Sequence, residues 1–268
     1  MLHSLTVFRG IVRIIVSFNR HTVSKMKIGD IELGKRPVVV GTVSTDFNMP
    51  ADAVQQVDIM EIRVDMLDVE GISDIIDIFS SVKRRYGKPL IATIRSREEG
   101  GEREIDDDRR YRIFREVLSF AEVLDVELSS GGLIEKVSGL CRENGRMLMA
   151  SYHNFSETPE RDVLMGLLRR GKDLGARIVK IAVHAADNKD LSELIHFTIE
   201  NRDAGIVTIS LGRAGLISRI INPMTGSLLT YGFIDRAASP GQISAFEIIK
   251  HLRLFDPSYN EAATSRVA

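Results

Sequence analysis

From residue 38 onward, short apolar runs alternate with longer amphipathic stretches. The runs Val38–Val43, Asp58–Val64, Leu90–Ile94, Val123–Leu128, Met147–Tyr152, Ile178–Val183, Ile206–Leu211 and Leu228–Phe233 have the length and composition of buried strands. Between them, apolar residues recur at spacings of three and four. One set is Val163, Leu164, Leu167 and Leu168; another is Leu191, Leu194, Ile195 and Ile199; the last is Ile243, Phe246, Ile249 and Leu252. Such spacing puts each set on one helix face. Leu133, Ile134, Val137, Leu140 and Cys141 form a further helical pattern, which makes the cysteine core filler. Eight strands alternating with helices over about 220 residues predict an α/β protein, with a (β/α)8 barrel favoured over a doubly wound sheet. Ahead of the first strand, Lys27–Lys35 alternates around Gly29-Asp30 and predicts a small hairpin suited to closing the bottom of a barrel.

Strand parity adds chemistry to this outline. Alternate strand residues face opposite sides. With Ile62 and Val64 turned to the helices, Glu61, Arg63 and Asp65 face the other way. The same reasoning turns Thr93 and Arg95 inward, then Asp125 and Glu127, then Lys180 between Val179 and Ile181. An inner barrel layer is normally branched and apolar. Isolated buried charge is too costly to persist, so these groups must pair or meet a ligand. Ion pairs at strand ends account for any two of them; the whole set points to a polar ligand site.

Composition removes several function classes. A net charge of -1 lacks the basic excess of a nucleic-acid-binding protein. A single cysteine excludes an internal disulfide, and the histidines show no metal-ligand spacing. Residues 1–25 contain no Asp or Glu but carry Arg9, Arg13, Arg20 and Lys25. Their apolar run, Ile11 to Phe18, is broken by Arg13 and too short to span a bilayer. This leader reads as sequence ahead of a true start at Met26, or as a loosely ordered extension, rather than as a transit peptide. The expected organisation is a leader over 1–25, a catalytic domain over 26–257 and a tail over 258–268.

The inward charges belong to longer strings. Glu61-Ile62-Arg63-Val64-Asp65 resembles the E-x-R-x-D strand of type I 3-dehydroquinate dehydratases. Thr93-Ile94-Arg95, running through Glu99-Gly100-Gly101, resembles their T-x-R-x-x-x-E-G-G segment. Ser151-Tyr152-His153-Asn154-Phe155 with Thr158-Pro159 resembles S-x-H-D-F…T-P. Val179-Lys180-Ile181-Ala182 resembles their lysine strand, Gly212 to Arg219 their G-x-x-G-x-x-S-R turn, and Pro240-Gly241-Gln242 their closing P-G-Q. The strings run in order from about Met26 to Leu254.

The resemblance implies a (β/α)8 TIM barrel without metal or organic cofactor, often homodimeric and here expected in the cytoplasm, with no nucleic-acid or membrane partner. It implies conversion of 3-dehydroquinate to 3-dehydroshikimate in the shikimate pathway, the route to aromatic amino acids. Lys180 matches the imine-forming lysine, His153 the catalytic histidine and Glu99 the acid that bonds it. Glu61, Arg63 and Arg95 match substrate-hydroxyl and organising residues. Arg219 matches the arginine that grips the substrate carboxylate, with Gln242 beside it. Asn154 replaces the usual Asp. Ala238 falls where the family has a substrate-binding serine, leaving Ser239 as the candidate one place late. Thr42 stands for a first-strand serine, and Leu211 and Tyr231 replace a common Met and Phe.

A protonated imine is a better electron sink than a ketone, which is why the lysine is needed. Burial near Arg63 and Arg95 would favour its neutral, attacking form. His153 would shuttle protons, and Glu99 would orient the ring and favour its charged form after proton uptake. The stretch Gly232–Gly241 is expected to be a lid. Rival readings are a class I aldolase, which uses a similar imine, and an inactive barrel that binds carboxylates.

Overall fold

The computed structural model describes residues 26–44, 47, 49, 51–237 and 242–259. The leader, Ala238, Ser239, Pro240 and Gly241 lie outside the described residues. Ten strands are described, β1 and β2 in the hairpin and β3 to β10 in the barrel. The hairpin pairs β1 (Lys27–Ile28) antiparallel with β2 (Ile31–Glu32) across Gly29-Asp30. The barrel strands are β3 (Val39–Val43), β4 (Ile59–Arg63), β5 (Leu90–Thr93), β6 (Val123–Glu127), β7 (Met147–Asn154), β8 (Ile178–His184), β9 (Ile206–Leu211) and β10 (Thr230–Phe233). They run in parallel in the order β10-β3-β4-β5-β6-β7-β8-β9, with helices between successive strands. The expected (β/α)8 barrel is present rather than a doubly wound sheet, because β10 returns to pair with β3.

Among the described residues no ladder joins β9 to β10. The seam is bridged instead by Leu228 N to Ile206 O (2.9 Å) and Thr208 N to Ser227 Oγ (3.1 Å). Asn222 adds a bond from its amide to Thr208 O (3.2 Å).

Two apolar cores follow from strand parity. The outer core lies between strands and helices and includes Ile62, Ala92, Leu124, Ala150, Val179 and Ile181. The inner core fills the lower barrel with Val40, Ile59, Ile91, Val123, Met149 and Ile178. Met26, Ile28 and Leu33 of the hairpin segment join that inner core, so the hairpin closes the bottom as expected. Arg36 fastens this end. It pairs with Asp58, which also accepts from Val39 N (2.9 Å), and lies 5.3 Å from the Tyr259 ring centre.

Helix faces match the spacing less closely than strands do. In the helix Arg161–Asp173, Leu164 and Leu168 are buried but Val163 is half exposed. In Asn188–Glu200 the buried positions are Leu194, Phe197 and Thr198, while Leu191, Ile195 and Ile199 sit at the margin. Cys141 is buried in Gly132–Glu143 as expected, and burial pushes its thiol up to about 12. Among the described residues no helix is long and apolar enough to cross a membrane.

Candidate active site

The lower barrel is apolar, and the next layers up are polar. Glu61, Thr93, Asp125, Ser151 and Lys180 come from successive strands at positions that face the interior, and Thr42 of β3 pairs in register with Glu61. Above them a cavity opens at the carboxyl ends of the strands, the end where barrel sites form. Thr42, Glu61, Arg63, Arg95, Glu99, His153, Lys180, Arg219 and Gln242 all line it, so nine of the ten candidates come together. The tenth, Ser239, lies outside the described residues. Gly100, Phe155, Ala182, Ile209, Leu211 and Tyr231 complete the wall.

Lys180 is 5% exposed, and its amine is held by protein groups. Its Nζ donates to Asp125 Oδ2 (3.1 Å), lies 3.8 Å from Glu61 Oε1 and sits 4.2 Å from the centre of the Tyr231 ring. Arg63 and Arg95 line the same cavity as expected, but the amine's own contacts are with carboxylates and a ring. Those guanidinium groups are taken up by their own carboxylates. Arg63 forks onto Asp65 (2.9 and 2.7 Å), and Arg95 reaches Asp125 and Glu127 (3.0 Å each) and Ser151 (2.7 Å).

Asp65, Asp125 and Glu127 do not line the cavity. They are the counter-ions behind it, so the set of inward charges is partly an ion-pair scaffold and partly a ligand site. Burial alone would raise these three carboxyls. Arg63 outweighs it at Asp65, Arg95 and Lys180 at Asp125, and Arg95 and Arg110 at Glu127, so all three are held below their ordinary values. Asp65 also accepts from Arg95 N (3.1 Å) and Glu102 N (3.3 Å), which ties the end of β4 to the loop after β5. Glu61 is fixed from both sides by the hydroxyls of Thr42 (2.8 Å) and Thr93 (2.7 Å).

The loop after β5 carries Glu99 to β7. Gly101 folds under it so closely that a Cβ there would lie 2.1 Å from Arg95 O. Glu99 Oε2 accepts from His153 N (2.8 Å) and meets His153 Nδ1 at 3.0 Å. Burial is the main force on both partners. It drives the imidazole well below its usual range, with Arg95 and Lys180 adding to the effect, and pushes Glu99 up to about 7. The resting imidazole is therefore neutral and able to accept a proton.

Arg219, on the short helix Ser218–Thr225, is 3% exposed. Its Nη1 donates to Tyr231 O (2.9 Å), while its Nε is buried without a partner. No carboxylate pairs with it among the described residues. Burial lowers it to about 10. A buried guanidinium left in this state is suited to a ligand anion.

The sequence model of the type I 3-dehydroquinase family matches residues 37–258. The chain belongs to the type I 3-dehydroquinase family. A 3-dehydroquinate dehydratase of Thermodesulfovibrio yellowstonii is 37% identical over 203 residues, covering 76% of this chain and 88% of its own. One from Methanocella arvoryzae is 32% identical, covering 81% and 96%. The solved type I 3-dehydroquinate dehydratase of Clostridium difficile superposes with a TM-score of 0.76 at 30% identity, covering 85% of this chain and 96% of that one. Within this type I 3-dehydroquinase, Asp125 and the Tyr231 face are the neighbours of Lys180 that sequence reasoning left without a role. Parity had turned Asp125 inward, but nothing in the strings marked its partner. Ser129, which donates to Glu99 Oε1 (2.5 Å), carried no sequence signal.

Proposed function

We propose that this type I 3-dehydroquinase forms an imine on Lys180, moves protons through His153 and holds the substrate carboxylate on Arg219. The reaction is the dehydration of 3-dehydroquinate to 3-dehydroshikimate in the shikimate pathway, which makes the enzyme a carbon–oxygen lyase. One observation carries the residue assignment: an interior amine, a neutral imidazole and a buried guanidinium with an unpartnered Nε face a single cavity.

The amine attacks the ketone to give a carbinolamine, which loses water to a protonated imine. That cation draws electrons from the adjacent carbon, so its proton leaves to His153 Nε2 while Nδ1 stays on Glu99. Proton uptake makes the ring cationic, and Glu99 in its ionised form then stabilises it. The imidazolium returns the proton to the departing hydroxyl, and water releases the conjugated ketone from Lys180. General acid–base help of this kind is worth about 10²–10⁴-fold. Glu61, Arg63 and Arg95 are assigned to substrate hydroxyls and site order, with Thr42 holding Glu61 and Gln242 beside the carboxylate. Ser239 keeps its assignment as a substrate contact.

A homodimer in the cytoplasm serving aromatic amino-acid biosynthesis is the accompanying cellular reading; light scattering in solution tests the dimer. The aldolase and inactive-barrel readings both forecast no dehydration of this compound. Wild-type protein given 3-dehydroquinate is expected to produce the ultraviolet rise of a conjugated ketone. Lys180→Ala is expected to lose that rise while still binding substrate by calorimetry. Turnover retained in Lys180→Ala contradicts the imine assignment, and no rise with wild type favours the aldolase or the inactive barrel.

A further inference from the structure

The geometry points to Ser129 as a positioning residue whose hydroxyl anchors the outer oxygen of Glu99 and so aims that carboxylate at His153. This rests on the catalytic reading of the Glu99–His153 couple and extends it. The two oxygens of Glu99 divide their work. Oε2 takes both contacts from His153, at 2.8 Å from the backbone N and 3.0 Å from Nδ1. Oε1 takes the Ser129 hydroxyl at 2.5 Å. With both ends held, the carboxylate cannot rotate away from the ring without breaking a charge-assisted bond.

Ser129 lies just past β6 and faces a second cleft with Ser96, Arg97 and Gly131, and it does not line the substrate cavity. Glu99 therefore stands in the wall between the two, with its substrate-side oxygen on the imidazole and its outer oxygen on the serine. The charged groups acting on Glu99 are Arg95 after β5 and Glu127 of β6, and the titratable ring of His153 of β7 faces it. Arg63 of β4 reaches the adjacent Gly100 O at 3.5 Å. Burial pushes Glu99 up to about 7, and the Ser129 bond opposes that push. A donor to an ionised carboxylate favours the ionised form, so removing it moves the titration upward.

The test is a carbon-13 NMR titration of glutamate-labelled protein, with the Glu99 signal assigned by Glu99→Gln. In Ser129→Ala the Glu99 midpoint is expected to rise by about one pH unit, and in Ser129→Thr to stay near the wild-type value. The acidic limb of kcat/KM is expected to move with it, while KM at high pH stays unchanged. A Glu99 midpoint in Ser129→Ala equal to wild type overturns the proposal, as does a shift that threonine fails to restore. The titration needs no turnover, so an inactive wild type would count against the catalytic reading and leave this measurement able to decide on Ser129.

Discussion

Arg219 differs from every other cation around the cavity. Lys180, Arg63 and Arg95 each face a carboxylate, whereas Arg219 has a backbone carbonyl and an unpartnered Nε among the described residues. A buried charge of this kind weakens the empty protein and strengthens the complex. Arg219→Met is therefore expected to stabilise the ligand-free enzyme by about 1–3 kcal/mol. The same variant is expected to raise KM about 100-fold, the scale of losing one buried charge pair. Thermal unfolding and steady-state kinetics check the two halves; a fall in stability with unchanged KM contradicts this role. Glu61, Arg63, Arg95 and Lys180 were legible at this scale because charge inside a strand is rare enough to stand out, whereas Glu99, His153, Arg219 and Gln242 were marked only by the family strings. The pairing of those charges was not. Arg63 and Arg95 lie on the correct face, but their long side chains reach Asp65, Asp125 and Glu127 rather than Lys180.

At the scale of elements, the segment from Arg95 to Gly101 does most to assemble the site. Its short helical turn Arg97–Glu99 swings Glu99 onto β7, and Gly101 N closes the turn on Ser96 O (2.8 Å). Gly101→Ala would drive a methyl into backbone that has no free rotamer to yield. It is expected to cost about 1–3 kcal/mol of stability and to lower kcat more than it raises KM, because Glu99 moves away from His153. Denaturant titration with steady-state kinetics reads both; a variant with unchanged kcat contradicts this account. Strand positions were legible because barrel strands are buried on both faces and so read as short, nearly continuous apolar runs. Helix faces were less so: Val163 fits the apolar spacing, yet its helix turns Leu164 and Leu168 to the strands instead.

For the whole molecule, the ion-pair scaffold links stability to pH. Asp65, Asp125 and Glu127 have folded values below their ordinary 3.8, 3.8 and 4.5, so their stabilisation is present above those values and is lost as pH falls through the folded ones. Glu99 and His153 act oppositely between about 7 and 4.5. The raised carboxyl adds stability on acidification, and the depressed imidazole removes it below 6.5. The expected thermal midpoint is nearly level from pH 8 to 5 and drops steeply below pH about 4; a midpoint that climbs on passing below pH 4 contradicts the scaffold. Barrel closure itself was legible from eight strands and the strings they carry. The open β9–β10 seam was not, since two of the bonds that bridge it come from Ser227 and Asn222, outside the strand pattern. The central claim concerns one atom, Nζ of Lys180. Incubation with 3-dehydroquinate and borohydride, followed by peptide mass mapping, tests it most directly. The account predicts a reduced adduct on the peptide carrying Lys180 and none in Lys180→Ala; an adduct on another lysine, or no adduct from a protein that turns substrate over, contradicts it.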